Sequence, residues 1–175
     1  MVATLSDLFR YQLKASKTEL VQLNEECSFI KDYLSLEQAR FGDRLKVDFR
    51  ISTGAGSCLV PPMLIQPLVE NAVKHGISPI IKGGSVHIIA QLDEQHKNLS
   101  ISVIDTGVGF SNNTLTKGEG VGLSNIRRRL DLQFGESLVI EKHHPKGTKV
   151  AFTIPAIKEA KSTHPIQTAS EMKVL

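Results

Sequence analysis

The sequence predicts an α/β two-layer sandwich: a mixed, largely antiparallel sheet covered by helices on one face and preceded by two N-terminal helices. Three observations lead there. Apolar residues recur at helical spacing in the first forty residues and again around residues 61–76 and 121–135. About five segments instead alternate with period two, the mark of half-buried strands. Strands and helices follow one another in runs, and not as regular strand–helix–strand units.

The first segment, 4–16 (TLSDLFRYQLKAS), spaces Leu5, Leu8, Phe9 and Leu13 as one helical stripe that needs a partner surface. NEECSFIKDYLSLEQARFG predicts a second helix, with Asn24 as N-cap, acids in its first turn and Gly42 at its end. Its Phe29, Ile30, Tyr33, Leu34 and Leu36 cover more than one stripe, so it packs on two sides. RLKVDFRIS changes the period to two, with Leu45, Val47, Phe49 and Ile51 on one face, and the globular domain starts about here.

VPPMLIQPLVENAVKHG places prolines where a helix begins and carries helical periodicity to Gly76. GGSVHIIAQLDE and NLSISVIDTG form a hairpin turning around residues 95–98, and residues 107–122 read as a mobile loop. VGLSNIRRRLDLQFG is a helix closed by Gly135, and SLVIEKHHPKGTKVAFTIP is a final hairpin turning near Pro145 to Gly147. Patterning fades after Pro155, which leaves a loose tail. The expected organisation is therefore a helical region over 1–42, a domain over 43–155 and a tail over 156–175.

With 175 residues and 41% hydrophobic content, the chain can fill a real core. It has no apolar run of the roughly 18 residues needed to span a bilayer and no signal-peptide pattern, so a soluble cytoplasmic domain is expected. A net charge of +3, 5% aromatic residues and no Trp argue against nucleic acid, which calls for a basic stripe with stacking platforms. Cys27 and Cys58 form no metal or redox pair and read as free thiols.

The stretch LVENAVKHGI breaks the apolar rhythm with Glu70, Asn71, Lys74 and His75. At about 100° per residue, and with Pro67 at 0°, Ile65, Val69, Ala72 and Val73 form a core arc from about 140° to 240°. The four polar groups share the opposite side. They are either a solvated face with a Glu70/Lys74 pair or a functional cluster. In the second case Asn71 is an amide ligand for a hard cation, Lys74 a phosphate partner and Glu70 a carboxylate for water or proton handling.

A second pattern favours function. An apolar strand ends in Asp105, followed by Gly107 and Gly109, and Gly118, Gly120 and Gly122 stand before a helix. Either alone is ordinary turn chemistry. Glycines let backbone approach a ligand, and those preceding a helix aim free N–H groups at phosphate, so together the motifs describe a nucleotide pocket. The spacing fits neither GxGxxG nor the P-loop.

An Asn-bearing helix, DxGxG after a strand, a loop and GxGxGL before a helix resemble the Bergerat-type ATP-binding fold of histidine kinases, gyrase, Hsp90 and anti-sigma-factor kinases. LSDLFRYQL, ELVQLNEECSFIKDYLSLEQARFGDRL, VPPMLIQPLVENAVKHGI, DTGVGF, GVGLSNIRRRLDLQFG and KGTKVAFTIP are similar to segments of the LytS/YehU-type sensor histidine kinases. The resemblance covers residues 4–155.

It implies ATP and Mg2+ as ligands, with Asn71 holding magnesium between the phosphates and Asp105 accepting the adenine amine. Gly107 and Gly109 floor the adenine pocket, while Gly118, Gly120, Gly122 and Leu123 belong to the lid hinge and phosphate-facing loop. Lys74 and His75 lie near phosphates or ribose, Thr148 completes the adenine side, and Glu70 is an acidic helper. The resemblance further implies a response regulator as partner, a homodimeric full-length kinase and a parent that is an inner-membrane receptor.

The family's phosphoacceptor motif, similar to PHFLFN, does not occur here. The expected acceptor is therefore a histidine outside these residues. Apart from His75, the histidines are assigned surface or structural roles, and the Arg127–Arg129 run reads as a solvated helix face. Two other readings stay open on sequence: an anti-sigma-type serine kinase using the same pocket, and a nucleotide-independent dimerisation module built on the N-terminal stripe.

Overall fold

A computed structural model describes residues 18–109 and 121–158. The stripe of residues 4–16 lies outside them. The elements in order are strand β1 (Val21–Gln22), helix α1 (Leu23–Phe41), strands β2 (Leu45–Ile51) and β3 (Cys58–Val60), and helix α2 (Gln66–Asn71), which continues as a wider π-helical segment (Ala72–Ile77). Strands β4 (Gly84–Leu92) and β5 (Asn98–Asp105), helix α3 (Val121–Phe134), and strands β6 (Val139–Lys142), β7 (Thr148–Pro155) and β8 (Ile157–Lys158) complete them.

Five strands form the main sheet in the order β2-β4-β5-β7-β6, with β2 parallel to β4 and the other neighbours antiparallel. The mixed two-layer sandwich expected from the sequence is the observed one. Its period-two pattern sends Val86, Ile88 and Ala90 of β4, Leu99, Ile101 and Val103 of β5 and Val150, Phe152 and Ile154 of β7 into one core. Leu23, Ile30 and Leu34 of α1, Leu68 and Val69 of α2, and Ile126 and Leu130 of α3 cover that face. The other face is polar: Asp48 bonds Arg50 and lies beside His87, Ser100 meets Thr153, and Lys149 pairs with Glu141.

Three details differ from the sequence reading. Helix α1 starts one residue before Asn24, with Gln22 at the N-cap position and no side-chain cap. It packs into the domain's own core, so the change of period at Gly42 ends a helix without breaking the packing. Beyond Pro155, β8 pairs with β3, and β3 pairs with β1, forming a second three-stranded sheet. The chain therefore keeps regular structure past the point where its patterning fades, because backbone pairing with β3 does not need an amphipathic side-chain pattern.

Cys27 and Cys58 are free and buried. Burial, reinforced by neighbouring Glu26, pushes the Cys27 thiol up to about 11, which makes it a poor nucleophile.

Ile101 is 1% exposed at the centre of the sheet. Replacing it with Ala is expected to lower unfolding stability by about 2–5 kcal/mol in denaturant titrations. A loss below about 1 kcal/mol would contradict its central place in the core.

Candidate functional site

The site grows from the end of β5. Leu99, Ile101, Val103 and Asp105 occupy the inward positions of that strand, so the alternation that builds the core also drives a carboxylate into it. Asp105 is 4% exposed. In register, Asp105 faces Thr148 at the start of β7, whose backbone and hydroxyl both hydrogen-bond the carboxylate. Oδ1 also accepts the Gly107 N–H at 2.8 Å. Burial nevertheless raises the carboxyl above its ordinary value, with the Gly107 and Thr148 bonds opposing.

Glycines are required where three segments meet. A Cβ on Gly76 would stand 2.7 Å from Asp105 Cγ, and one on Gly107 would stand 2.3 Å from the Gly76 carbonyl carbon. One on Gly147, at φ +132, would meet the Asp105 carbonyl oxygen at 1.9 Å. Val108 N–H donates to Gly76 O at 3.0 Å across this contact. Gly109 has φ +72 and lies against the Gly147 backbone. Thr106 locks the neighbouring strand: its N–H donates to Ser85 O at 3.0 Å, and its Oγ1 accepts Ser85 N–H at 2.8 Å.

Helix α2 supplies the second wall. After Asn71 it loosens into the π-helical segment, and Ser78 N–H closes on Val73 O at 2.8 Å, an i to i+5 bond. Constant turning at 100° per residue puts Ile77 at about 280°, off the apolar arc. In the wider segment Ile77 is fully buried, and Gly76 sits against Asp105.

The four polar groups differ in their surroundings. Lys74 and His75 are exposed, and Asn71 lies near Gly122 in the first turn of α3, since a Cβ on Gly122 would be 3.9 Å from Asn71 Nδ2. Glu70 points elsewhere. Gln66 Nε2 donates to its Oε1, and its charge raises the Tyr33 hydroxyl on α1, after burial and Glu37. Its carboxylate, held by Gln66, lies toward helix α1.

Gly118 and Gly120 lie outside the described residues. Leu123 is partly buried against the core. Two residues that sequence reading passed over belong to the site: Gly76, read as a helix stop, and Gly147, read as a turn. Their signal was glycine itself, but only the fold shows that each is needed for close backbone approach.

Arg129 is not a solvated member of a charge run. It is partly buried, and its guanidinium donates to Pro62 O at 2.9 Å and Met63 O at 3.4 Å. Arg127 donates to Leu138 O at 3.3 Å. Among the described residues no group of three or more His, Cys, Asp or Glu could hold a metal. A lone Asn amide beside a glycine suits a hard cation that draws its other ligands from phosphate and water.

The raised Asp105 carboxyl has a consequence for stability. The fold favours its protonated form, so its contribution is fully present below the ordinary carboxylate range and is lost as pH rises through the raised folded value. The melting-temperature advantage of Asp105→Asn over the parent should therefore grow as pH rises from about 4 to about 7 in thermal melts. An advantage independent of pH would show that the buried carboxylate carries no such cost.

Residues 62–158 match the family described as histidine kinase-, DNA gyrase B- and HSP90-like ATPase, and residues 1–45 match the histidine kinase family. The chain is 39% identical over 162 residues to the sensor histidine kinase YpdA of Escherichia coli, with 89% of this chain covered. It is 38% identical over 167 residues to the sensor protein LytS of Staphylococcus saprophyticus, again with 89% covered. It spans 28% of the length of each. Among solved structures, histidine kinase ThkA in complex with response regulator protein TrrA shares the fold, with a TM-score of 0.61 at 17% identity over 90% of this chain and 48% of that one. No helix among the described residues is long and apolar enough to cross a membrane. The chain belongs to the histidine kinase-, DNA gyrase B- and HSP90-like ATPase family.

Proposed function

We propose that this chain binds Mg2+-ATP between the end of β5 and helix α2, and serves transfer of the γ-phosphoryl group to a histidine outside these residues. The observation that carries the reading is the inward Asp105 carboxylate, desolvated and flanked by Gly107, Gly76 and Thr148. A planar heterocycle with an exocyclic amine fits it, because glycine backbone leaves room for the ring and a carboxylate's two oxygens have acceptor sites beyond those met by Gly107 and Thr148. Gly109 extends that floor and Thr148 closes its side.

Asn71 is the magnesium ligand in this reading. Gly118, Gly120 and Gly122 present backbone N–H groups to the phosphates, Leu123 seats the following helix, and Lys74 and His75 reach phosphate or ribose from solvent. When bound, magnesium neutralises phosphate charge. Glu70, held by Gln66 on the side of α1, is the acidic helper. In the reaction the bond from the γ-phosphorus to the bridging oxygen breaks, a phosphorus–nitrogen bond forms on imidazole, and ADP leaves. Positioning and charge stabilisation supply the catalysis.

Residues 1–42 are, in the same reading, the end of the dimerisation region of a homodimeric kinase. The full-length protein passes its phosphoryl group to a response regulator, and this part of it is cytoplasmic. ThkA, solved in complex with response regulator protein TrrA, has the same fold.

Calorimetric titration with a non-hydrolysable ATP analogue tests the site. The parent should bind more tightly with magnesium than without, and Asn71→Ala should lose roughly ten- to a hundredfold of the magnesium-dependent affinity. Asp105→Asn should weaken binding with or without the ion. Folded variants that both bind like the parent would overturn these assignments.

A further inference from the structure

Helix α2 begins without a cap of its own. Ile65 stands at its N-cap position with no side-chain hydrogen bond, and Met63 just before it has φ +57, a left-handed conformation that a non-glycine residue holds only under constraint. The constraint comes from two other helices. Glu26 of α1 is 0% exposed, and its carboxylate accepts Met63 N–H at 2.8 Å, Ile65 N–H at 3.1 Å and Gln66 N–H at 3.4 Å. Arg129 of α3 donates to the Pro62 and Met63 carbonyls of the same turn. The carboxyl group holds the donors of the turn and the guanidinium holds its acceptors.

We propose that Glu26 and Arg129 are positioning residues for the nucleotide site: together they clamp the Pro62–Gln66 turn and so set the rotation and depth of the helix that carries Asn71. The proposal rests on the nucleotide reading above. Asn71 lies five residues beyond Gln66, at the last α-helical position before the π-helical segment, so movement of the turn is passed along one helical stretch to its amide. A carboxylate at a helix N-terminus also matches the helix dipole, and charge-assisted bonds are stronger and shorter than neutral ones. Gln66 gives a second reason for precision. It is 4% exposed, its backbone is held by Glu26, and its side chain holds Glu70. The clamp therefore orients both polar groups of α2 that flank the site.

The two clamping residues come from informative places. Glu26 lies on the helix that connects the N-terminal region to the domain, and Arg129 lies on the helix that follows the glycine run. Two sequence-distant helices thus meet on one five-residue turn, and a shift of either is passed along α2 to Asn71.

The test uses the whole chain and separates positioning from simple stability. Affinity is measured for a non-hydrolysable ATP analogue with magnesium and, separately, for adenosine, which needs the Asp105 end of the site but neither phosphates nor metal. In Glu26→Gln and Arg129→Lys, confirmed folded by circular dichroism, magnesium-analogue affinity should fall roughly tenfold while adenosine affinity stays within about twofold of the parent. In an Asn71→Ala background the same substitutions should have no further effect on the magnesium-dependent part. Equal weakening of both ligands, or no change in either, overturns the positioning role. If Glu26→Gln does not fold, Arg129→Lys decides alone. A folded parent that binds neither ligand overturns the nucleotide reading and the clamp with it, which distinguishes the two failures.

Discussion

At the meeting of Gly76 and Gly107, two backbones come together with no room for a side chain on either. That contact fixes how helix α2 sits on the end of β5, and the rest of the site follows. Gly76 bare of a Cβ allows the Asp105 carboxylate to occupy the space beside the helix, and Gly147 allows the start of β7 to close over the same strand end. The π-helical segment is the adjustment that makes the contact possible. By widening the turn after Asn71 it buries both Gly76 and Ile77, where a uniform helix would direct only one of them inward.

Around this contact the electrostatics divide by role. Asp105 is kept in an environment that disfavours its charge, a state that suits a site awaiting a donor from a ligand. Glu26 is more deeply buried, yet three backbone donors surround its carboxylate and a guanidinium approaches from the far side of the turn. Lys74 and His75 stand in solvent.

Joining α1 to the domain also changes how the molecule is divided. Sequence periodicity separates a helical region from a sandwich, but Leu23, Ile30 and Leu34 belong to the same core as the sheet. The second sheet ties β1, just ahead of α1, to β3, just ahead of α2, and to β8 at the other end of the domain.

The sequence by itself determined the elements whose pattern is local. Alternation in β4, β5 and β7, the helical stripe of α3 ending at Gly135, and the inward parity of Asp105 all follow from periods of two and 3.6, which neighbouring residues define without reference to the rest of the chain. The ordered Asn, DxGxG and GxGxG motifs were legible for the same reason and pointed to a nucleotide fold. Tertiary structure alone decided which glycines touch, how Glu70 and Asn71 part company, why Arg129 is drawn inward, and that Glu26 holds a turn 37 to 40 residues away. Those facts depend on contacts between distant segments. A buried charge looks in sequence like any surface acid of an amphipathic helix until the fold brings its partners to it.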